Sequence, residues 1–447
     1  MLNKKIKPNH NLKTFDVEQH ANDSLVHIPT NFKECGIGLL SNVAPIQNCR
    51  VKDNLIQFEY CCLFLSMVYL KQKHLHDDDD NHFVPIHSST FSYFESHAGV
   101  FIKWLCDRGF LECSEHYEPG VFSKQYRFKG NFTFEPYHLK SKSLIARIIK
   151  ARENRVEEIL KHPVLSKVYE RTKGVELLPE ADDWIKHQGY SKPKETAILD
   201  NISLARQKDL SKGYFMVQGH NSGRIFTPHT HLPKEVRNRF LRIDGEIPAE
   251  LDLRCSQFQC LYLMFKNHFL KIKKSKEIRA AFAEEMDRYA QCFQDGSTDL
   301  YKMLGQCFKL DRDALKKKVL PWLFSSFWQM TNYDQYIRIS DAFGKHFPIL
   351  LNLIMDFKKA NKKGLAAKLQ TLEANAVIHQ IALNKIYPLG FSFITVHDSV
   401  IVPISKLYQV RRTIWEPTLN SLRFPQYLEK SHQYTAEDER NDLFLFG

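Results

Sequence analysis

Two aspartates stand where strand-like runs stop. In FSFITVHDSVIVP (391–403), Phe391–Val396 and Val400–Pro403 are rich in β-branched and aromatic residues and flank His397, Asp398 and Ser399. That pattern predicts a tight hairpin. A bare hairpin turn favours Gly or Asn, so an acid at this tip asks for a chemical role. In IPAELDLRCSQFQCLYLMF (247–265), Ala249–Leu253 read as a short strand. The following SQFQCLYLMF reads as a helix with Phe258, Leu261, Tyr262 and Phe265 on one face. Asp252 then lies at a strand end beside a helix start. Two aspartates on neighbouring strand ends can share two Mg²⁺ ions about 3.5–4 Å apart, the arrangement that serves phosphoryl transfer.

Cations are spaced to suit the same chemistry. In DRDALKKKVLPWLFSSFWQ (311–329), Arg312, Lys316, Leu320 and Phe324 recur every four residues, which places them on one broad helical stripe. Arg312 and Lys316 suit the phosphates of a nucleoside triphosphate and Phe324 its base. The plain alternative is an amphipathic helix with a solvated run, Lys316–Lys318. Pro321 removes a backbone donor and is expected to kink this helix. Upstream, GHNSGRIFTPHTHLPKEVRNRFLR (219–242) offers Gly223-Arg224, then Arg237, Arg239 and Arg242. These can track a phosphate backbone; a basic surface helix explains them nearly as well. Two other clusters point elsewhere. Asp77–Asp80, flanked by His74, His76 and His82, is a consecutive run and reads as a solvated loop. Cys255 and Cys260 lack a partner pair for zinc and read as packing residues.

The elements that must carry these residues belong to a long globular chain. At 447 residues with 43% hydrophobic and 26% charged residues, it has room for two or three domains. Lys and Arg number 63 against 51 Asp and Glu, a net charge of +12, which favours a polyanionic partner, nucleic acid before membrane. The opening MLNKKIKPNH has no apolar core and no apolar run reaches about 18 residues, so a cytoplasmic chain with no membrane span is expected. Ten scattered Cys without a C-x-x-C pair fit a reducing compartment. Four regions are expected: 1–82 without a functional reading, 83–135, a helical connector or thumb over 136–210, and a catalytic region over 211–447. Over 83–135, Phe94, Val100, Phe101, Trp104 and Leu105 fall at near-helical spacing up to Gly109, and strand, Pro-Gly turn and strand follow. This layout resembles a winged-helix domain, with Lys103, Arg108, Lys124 and Arg127 available to phosphates.

The order of the 211–405 motifs resembles the palm and fingers of family A DNA polymerases and single-subunit phage-type RNA polymerases. In that superfamily a Gly-Arg element precedes motif A with its metal-binding Asp. A fingers helix patterned R-x3-K-x3-[FML]-x3-Y comes next, then a motif C hairpin bearing His-Asp. Here Gly223-Arg224, Asp252, the Arg312/Lys316/Leu320/Phe324 helix and His397-Asp398 occur in that order. LQTLEANAVIHQIA with Gln370 resembles the helix before motif C. Phe324 stands where the family has Tyr and Ser325 where it has Gly. No exonuclease module is visible upstream.

The resemblance implies an α+β fold: an antiparallel palm with helical fingers and thumb-like helices, and a winged-helix-like domain on the N-terminal side. It implies two Mg²⁺ (Mn²⁺ as the substitute) on Asp252 and Asp398. Arg312 and Lys316 would clamp phosphates, Phe324 would stack on the base, and His397 would position the primer end. Arg224, Arg237 and Gln370 would meet the template or primer. The residue five past the motif A Asp, Gln257, would abut the sugar 2′ position. A bulky Gln257 and a Phe324 lacking a hydroxyl lean towards dNTPs, whereas His-Asp-Ser and Gln259 look more like the RNA polymerase branch. The function expected is DNA-templated nucleotidyl transfer by a compact DNA polymerase or primase-polymerase of a mobile element. The alternatives are an RNA polymerase or primase on the same scaffold, and a non-catalytic winged-helix replication initiator.

Overall fold

The structure, a computed structural model, describes residues 24–32, 53–75, 83–86, 98–114, 124–219, 221–269, 275–294, 300–308, 310–361 and 364–427. The aspartate run at 77–80, Phe94 and the Pro119-Gly120 turn lie outside the described residues. The fold is α+β, mostly helical, with small sheets whose strand pairs are all antiparallel. The chain divides into two compact units. One comprises 1–161, 182–203 and 209–213; the other comprises 162–181, 204–208 and 214–447.

The first unit is built on strand β1 (Leu25–Pro29), helix α1 (Asn54–Leu75), β2 (Val84–Pro85), α2 (Ala98–Asp107), β3 (Leu111–Cys113), β4 (Gln125–Phe128), β5 (Phe134–His138) and α3 (Lys142–Lys161). Asp53 caps α1, its Oδ1 accepting from Leu55 N–H at 2.8 Å and Ile56 N–H at 3.2 Å. Phe58, Tyr60, Cys61, Cys62, Phe64, Leu65 and Val68 are all buried. A helix apolar on nearly every side is a core helix, and α1 lies in one core with Phe101 and Leu105 of α2 and Tyr126 and Phe128 of β4. The region 1–82, unassigned by sequence, therefore supplies the centre of the unit expected to begin at 83. The expected hairpin is present, pairing Leu111 with Phe128 and Cys113 with Tyr126, and β2 adds to the far edge of β4, giving the order β2–β4–β3. Gly109, at φ +79°, ends the turn after α2. Arg127 is not left open for phosphate. It bonds Glu112 on the neighbouring strand through Nε and Nη2, each at 2.8 Å, and stacks over Phe83 at 4.4 Å.

The second unit carries the motif residues. Its strands are β6 (Val175–Leu177), β7 (Val217–Gln218), β8 (Ile225–Phe226), β9 (Leu241–Ile243), β10 (Pro248–Asp252), β11 (Ile394–Val396) and β12 (Ser399–Pro403). Strand β6 pairs with β9, so residues 162–181, expected in a connector, belong to this unit. The central sheet runs β10–β12–β11. Leu251, Val400 and Val402 point from it into a core shared with helices α4 (Ser256–Phe269), α5 (Arg312–Phe324), α6 (Pro348–Ala360) and α7 (Gly364–Ala374). Phe258, Leu261, Tyr262 and Phe265 form the buried face of α4, as the spacing predicts. The first hairpin strand is shorter than its apolar run. Pairing stops at Ile394↔Ile401, and Phe391–Phe393 stay outside the ladder, with Ser392 N–H donating to Asp244 Oδ2 at 2.8 Å.

Candidate active site

Backbone register brings the two aspartates together. Val396 pairs with Ser399, which leaves His397 and Asp398 as a two-residue turn. His397 takes φ +55°, the left-handed region that suits a first turn position and that His tolerates better than bulky or β-branched residues do. Across the sheet Ser399 faces Asp252, and Leu253 N–H donates to the Asp398 carbonyl at 3.1 Å. The ends of β10 and of the hairpin are thus tied at the backbone. Leu251 is buried while Asp252 opens to solvent.

The protein side of Asp252 is nevertheless crowded. Desolvation first, then the charges of Asp398 and Glu250, push its pKa up to about 7, with Lys234 and Lys316 pulling the other way. Glu250 lies two residues earlier, on the same strand face. It accepts from Ser399 Oγ at 2.6 Å and stands 3.7 Å from Lys234. Forcing like charges together raises the proton affinity of one of them, and a divalent cation relieves the same repulsion. Mg²⁺ is commonly held by one or two carboxylates plus substrate phosphates, so the pair Asp252 and Asp398 fits such an ion.

Helix α5 supplies the cation. Asp311 caps it, accepting from Ala314 N–H at 2.7 Å. Leu315, Val319, Trp322 and Leu323 are buried; Arg312 and Lys316 are exposed. A step of four residues overshoots one turn by about 40°, so three steps rotate the stripe by about 120°. The stripe therefore splits: Lys316 lies near enough to bear on Asp252, whereas Leu320 and Phe324 pack against the core. Arg312 sits over the Tyr301 ring at 5.4 Å. Helix α5 continues unbroken through Pro321, which lies on its exposed side. At the far end the buried Lys358 of α6 donates to the carbonyls of Trp322 at 3.0 Å and Ser325 at 2.7 Å. Burial lowers its pKa to about 7.

A residue that sequence reasoning passed over joins the remaining motif elements. Glu373 of α7 is fully buried. Its Oε1 accepts from Arg224 Nε at 2.7 Å and Nη2 at 2.5 Å; its Oε2 accepts from Ser256 Oγ at 2.7 Å and from Gln257 Nε2. Burial and then the charge of Asp398 raise its pKa, against the pull of Arg224. Gly223 takes φ +69°, and a Cβ there would stand 3.3 Å from that of Ala374, so the Gly-Arg turn lies directly on the end of α7. The available signal was Glu373 itself, the one Asp or Glu between Leu369 and Asn384. Gln370, three residues earlier, is half-buried and outside this network.

Of the expected nucleic-acid contacts, Arg237 is corrected and Arg224 is shared with a buried acid. Arg237 is buried, not presented to a phosphate backbone: it donates to the Leu232 carbonyl at 2.5 Å, and burial lowers its pKa. Arg224 commits Nε and Nη2 to Glu373, with its side chain 17% exposed. The His397 ring meets Phe226 at 5.6 Å and 63°, and its Nδ1 is buried without a hydrogen-bond partner. Burial first, then the Arg224 charge, lower its pKa, against the pull of Asp398. Gln259 is structural, donating to the Arg254 carbonyl at 2.6 Å and to Gln426 at 3.1 Å.

No protein-family model, curated protein or solved structure matches this chain.

Proposed function

We propose that the second unit is a palm-and-fingers nucleotidyltransferase that extends nucleic acid on a DNA template, with dNTPs as the favoured substrate. The observation that carries this reading is the meeting of Asp252 and Asp398 at one sheet end with Lys316 in electrostatic reach. Asp252 and Asp398 would hold Mg²⁺, or Mn²⁺ in its place, which supplies charge neutralisation for the triphosphate and the attacking oxygen. The primer 3′-oxygen attacks the α-phosphorus, and the bond to the β-phosphate oxygen breaks. Lys316 then faces the departing pyrophosphate as its proton donor. Arg312 lies one helical turn before Lys316 and serves the outer phosphates. His397, at the hairpin tip beside Asp398, serves the primer end.

A second reading rests on the first unit. A helix (α1), a strand (β2), a second helix (α2) and a hairpin in the order β2–β4–β3 make the layout of a winged helix. Lys103, Arg108, Lys124 and Lys129 are exposed on it. This unit would bind duplex DNA and find the start site.

Primer extension by the full chain with Mg²⁺, supplied with dNTPs or NTPs, tests both readings. Incorporation by the wild type that falls by at least about 100-fold in Asp398→Asn, the upper range for losing even an outer partner of a metal, supports nucleotidyl transfer. Duplex binding without any incorporation, unchanged by Asp398→Asn, leaves only the binding module.

A further inference from the structure

Lys234 is a cation at the acid pair that the reaction just described leaves unused. Its Nζ stands 3.7 Å from Glu250 Oε2, and its side chain is 64% exposed. Glu250 shares a strand face with Asp252. It accepts at 2.6 Å from Ser399 Oγ, and Ser399 is the residue that faces Asp252 across the sheet. The ammonium is thereby held beside the strand end that bears Asp252. Of the two lysines that lower the proton affinity of Asp252, Lys234 acts the more strongly. An ammonium has three donors, and an ion pair this long and this exposed to water is weak, so Lys234 can turn to another anion at little cost.

The segment leading to Lys234 carries rings. The Phe226 ring, on β8, lies 5.6 Å from that of His397 and 6.4 Å from that of His231, the latter pair inclined by only 28°. Phe215 meets His231 at 5.6 Å. His231 is exposed, and Phe215 and Phe226 are half-buried. Local structure fixes them there. Pro228–His231 form a 3-10 turn, in which residues two apart leave on different sides. His229 points inward, fully buried, with its Nδ1 3.2 Å from Tyr214 Oη, so His231 turns out. Thr227 Oγ1 accepts from Thr230 N–H at 3.3 Å, and Thr230 Oγ1 from Thr227 N–H at 3.0 Å, which closes the turn. A free triphosphate would use the cation and leave the rings idle; a nucleic-acid strand offers phosphates and stacking bases together. We infer that residues 226–234 seat the end of a nucleic-acid strand beside the acid pair, with a backbone phosphate on Lys234 and a base on Phe226 and His231. This inference rests on the nucleotidyl-transfer reading and adds to it the surface on which the strand lies.

The test is equilibrium binding of a labelled single-stranded oligo-dT of about 12 nucleotides, within the span such sites cover, to the full chain at several salt concentrations. Melting curves confirm folding. Losing one phosphate contact lowers the slope of log K against log salt by about 0.7 for a single strand. Lys234→Met is expected to show that fall and Lys234→Arg, which keeps the charge, to show none. Lys186→Met, at an exposed lysine of the first unit, should keep the wild-type slope. Phe226→Leu and His231→Ala are each expected to weaken binding about tenfold through lost stacking, with the slope unmoved. Should Phe226→Leu fail to fold, His231→Ala decides the ring contact alone, since that side chain is exposed. A wild type that binds no oligonucleotide, an unchanged slope in Lys234→Met, an equal fall in Lys186→Met, or ring variants that bind like the wild type overturns the inference. So does a loss confined to dATP binding in Mg²⁺, which would assign Lys234 to the triphosphate. Primer extension run alongside separates the two readings. Incorporation with an unmoved slope overturns the strand seat alone; the expected losses in a chain that incorporates nothing support the seat while nucleotidyl transfer fails.

Discussion

Asp252 is held in a state that costs the protein stability. Its carboxyl carries an ordinary pKa when unfolded and one near 7 when folded, first through burial and then through Asp398. A raised folded pKa gives stability that is full below the unfolded value and is lost as pH climbs through the folded one. The window therefore runs from about pH 4 to about pH 7. In the absence of divalent ions, Asp252→Asn should melt above the wild type at pH 8 and lose that advantage at pH 4. Mg²⁺ should then raise the wild-type melting temperature at pH 8 by mass action and leave the variant nearly unmoved. Thermal scans with and without Mg²⁺ at the two pH values check this. A variant less stable than the wild type in metal-free buffer at pH 8 would contradict the strain. Residue types announced this pair, because each acid stands where an apolar strand-like run stops. They did not announce Glu373 or the burial of Arg237, since an arginine beside others reads as surface until its neighbours are known.

At the scale of elements, spacing revealed which segments pair and pack better than where they stop. The helix bearing Arg312 and Lys316, the helix after Asp252 and the His-Asp hairpin were all legible from apolar period and turn chemistry. Strand ends were not: Phe391–Phe393 have the composition of a strand and no opposing partner. Composition at Pro321 predicted a kink, whereas the helix continues through it to Phe324. Lys358 of α6 supplies donors to the carbonyls that end α5, an end that also favours positive charge. Its folded pKa of about 7 lies below its unfolded value near 10.5, so between those values the unfolded chain binds a proton that the folded one has released. The wild type should therefore gain stability over Lys358→Met as pH rises from about 7 to about 10, with a slope approaching 1.4 kcal/mol per pH unit. Below pH 7 the difference should be flat. Urea unfolding of both proteins across this range reads the slope, and parallel curves throughout would refute the buried-lysine account.

For the whole molecule, hydrophobic periodicity located the amphipathic helices but was blind to α1. Its apolar residues surround the helix instead of striping it, so no 3.6-residue period stands out. That is why the region before residue 83 had no reading, although it holds the centre of its unit. Among the described residues no helix is long and apolar enough to cross a membrane. The excess of positive charge, +12 over the chain, would attract a polyanion over long range, and the motif residues gather in one unit of the chain. Spin-resonance titration of Mn²⁺ into the full chain with a bound nucleotide asks most directly whether Asp252 and Asp398 share cations. The account predicts saturable binding by the wild type, lost in both Asp252→Asn and Asp398→Asn while the fold persists. Equal Mn²⁺ uptake by wild type and both variants would contradict it.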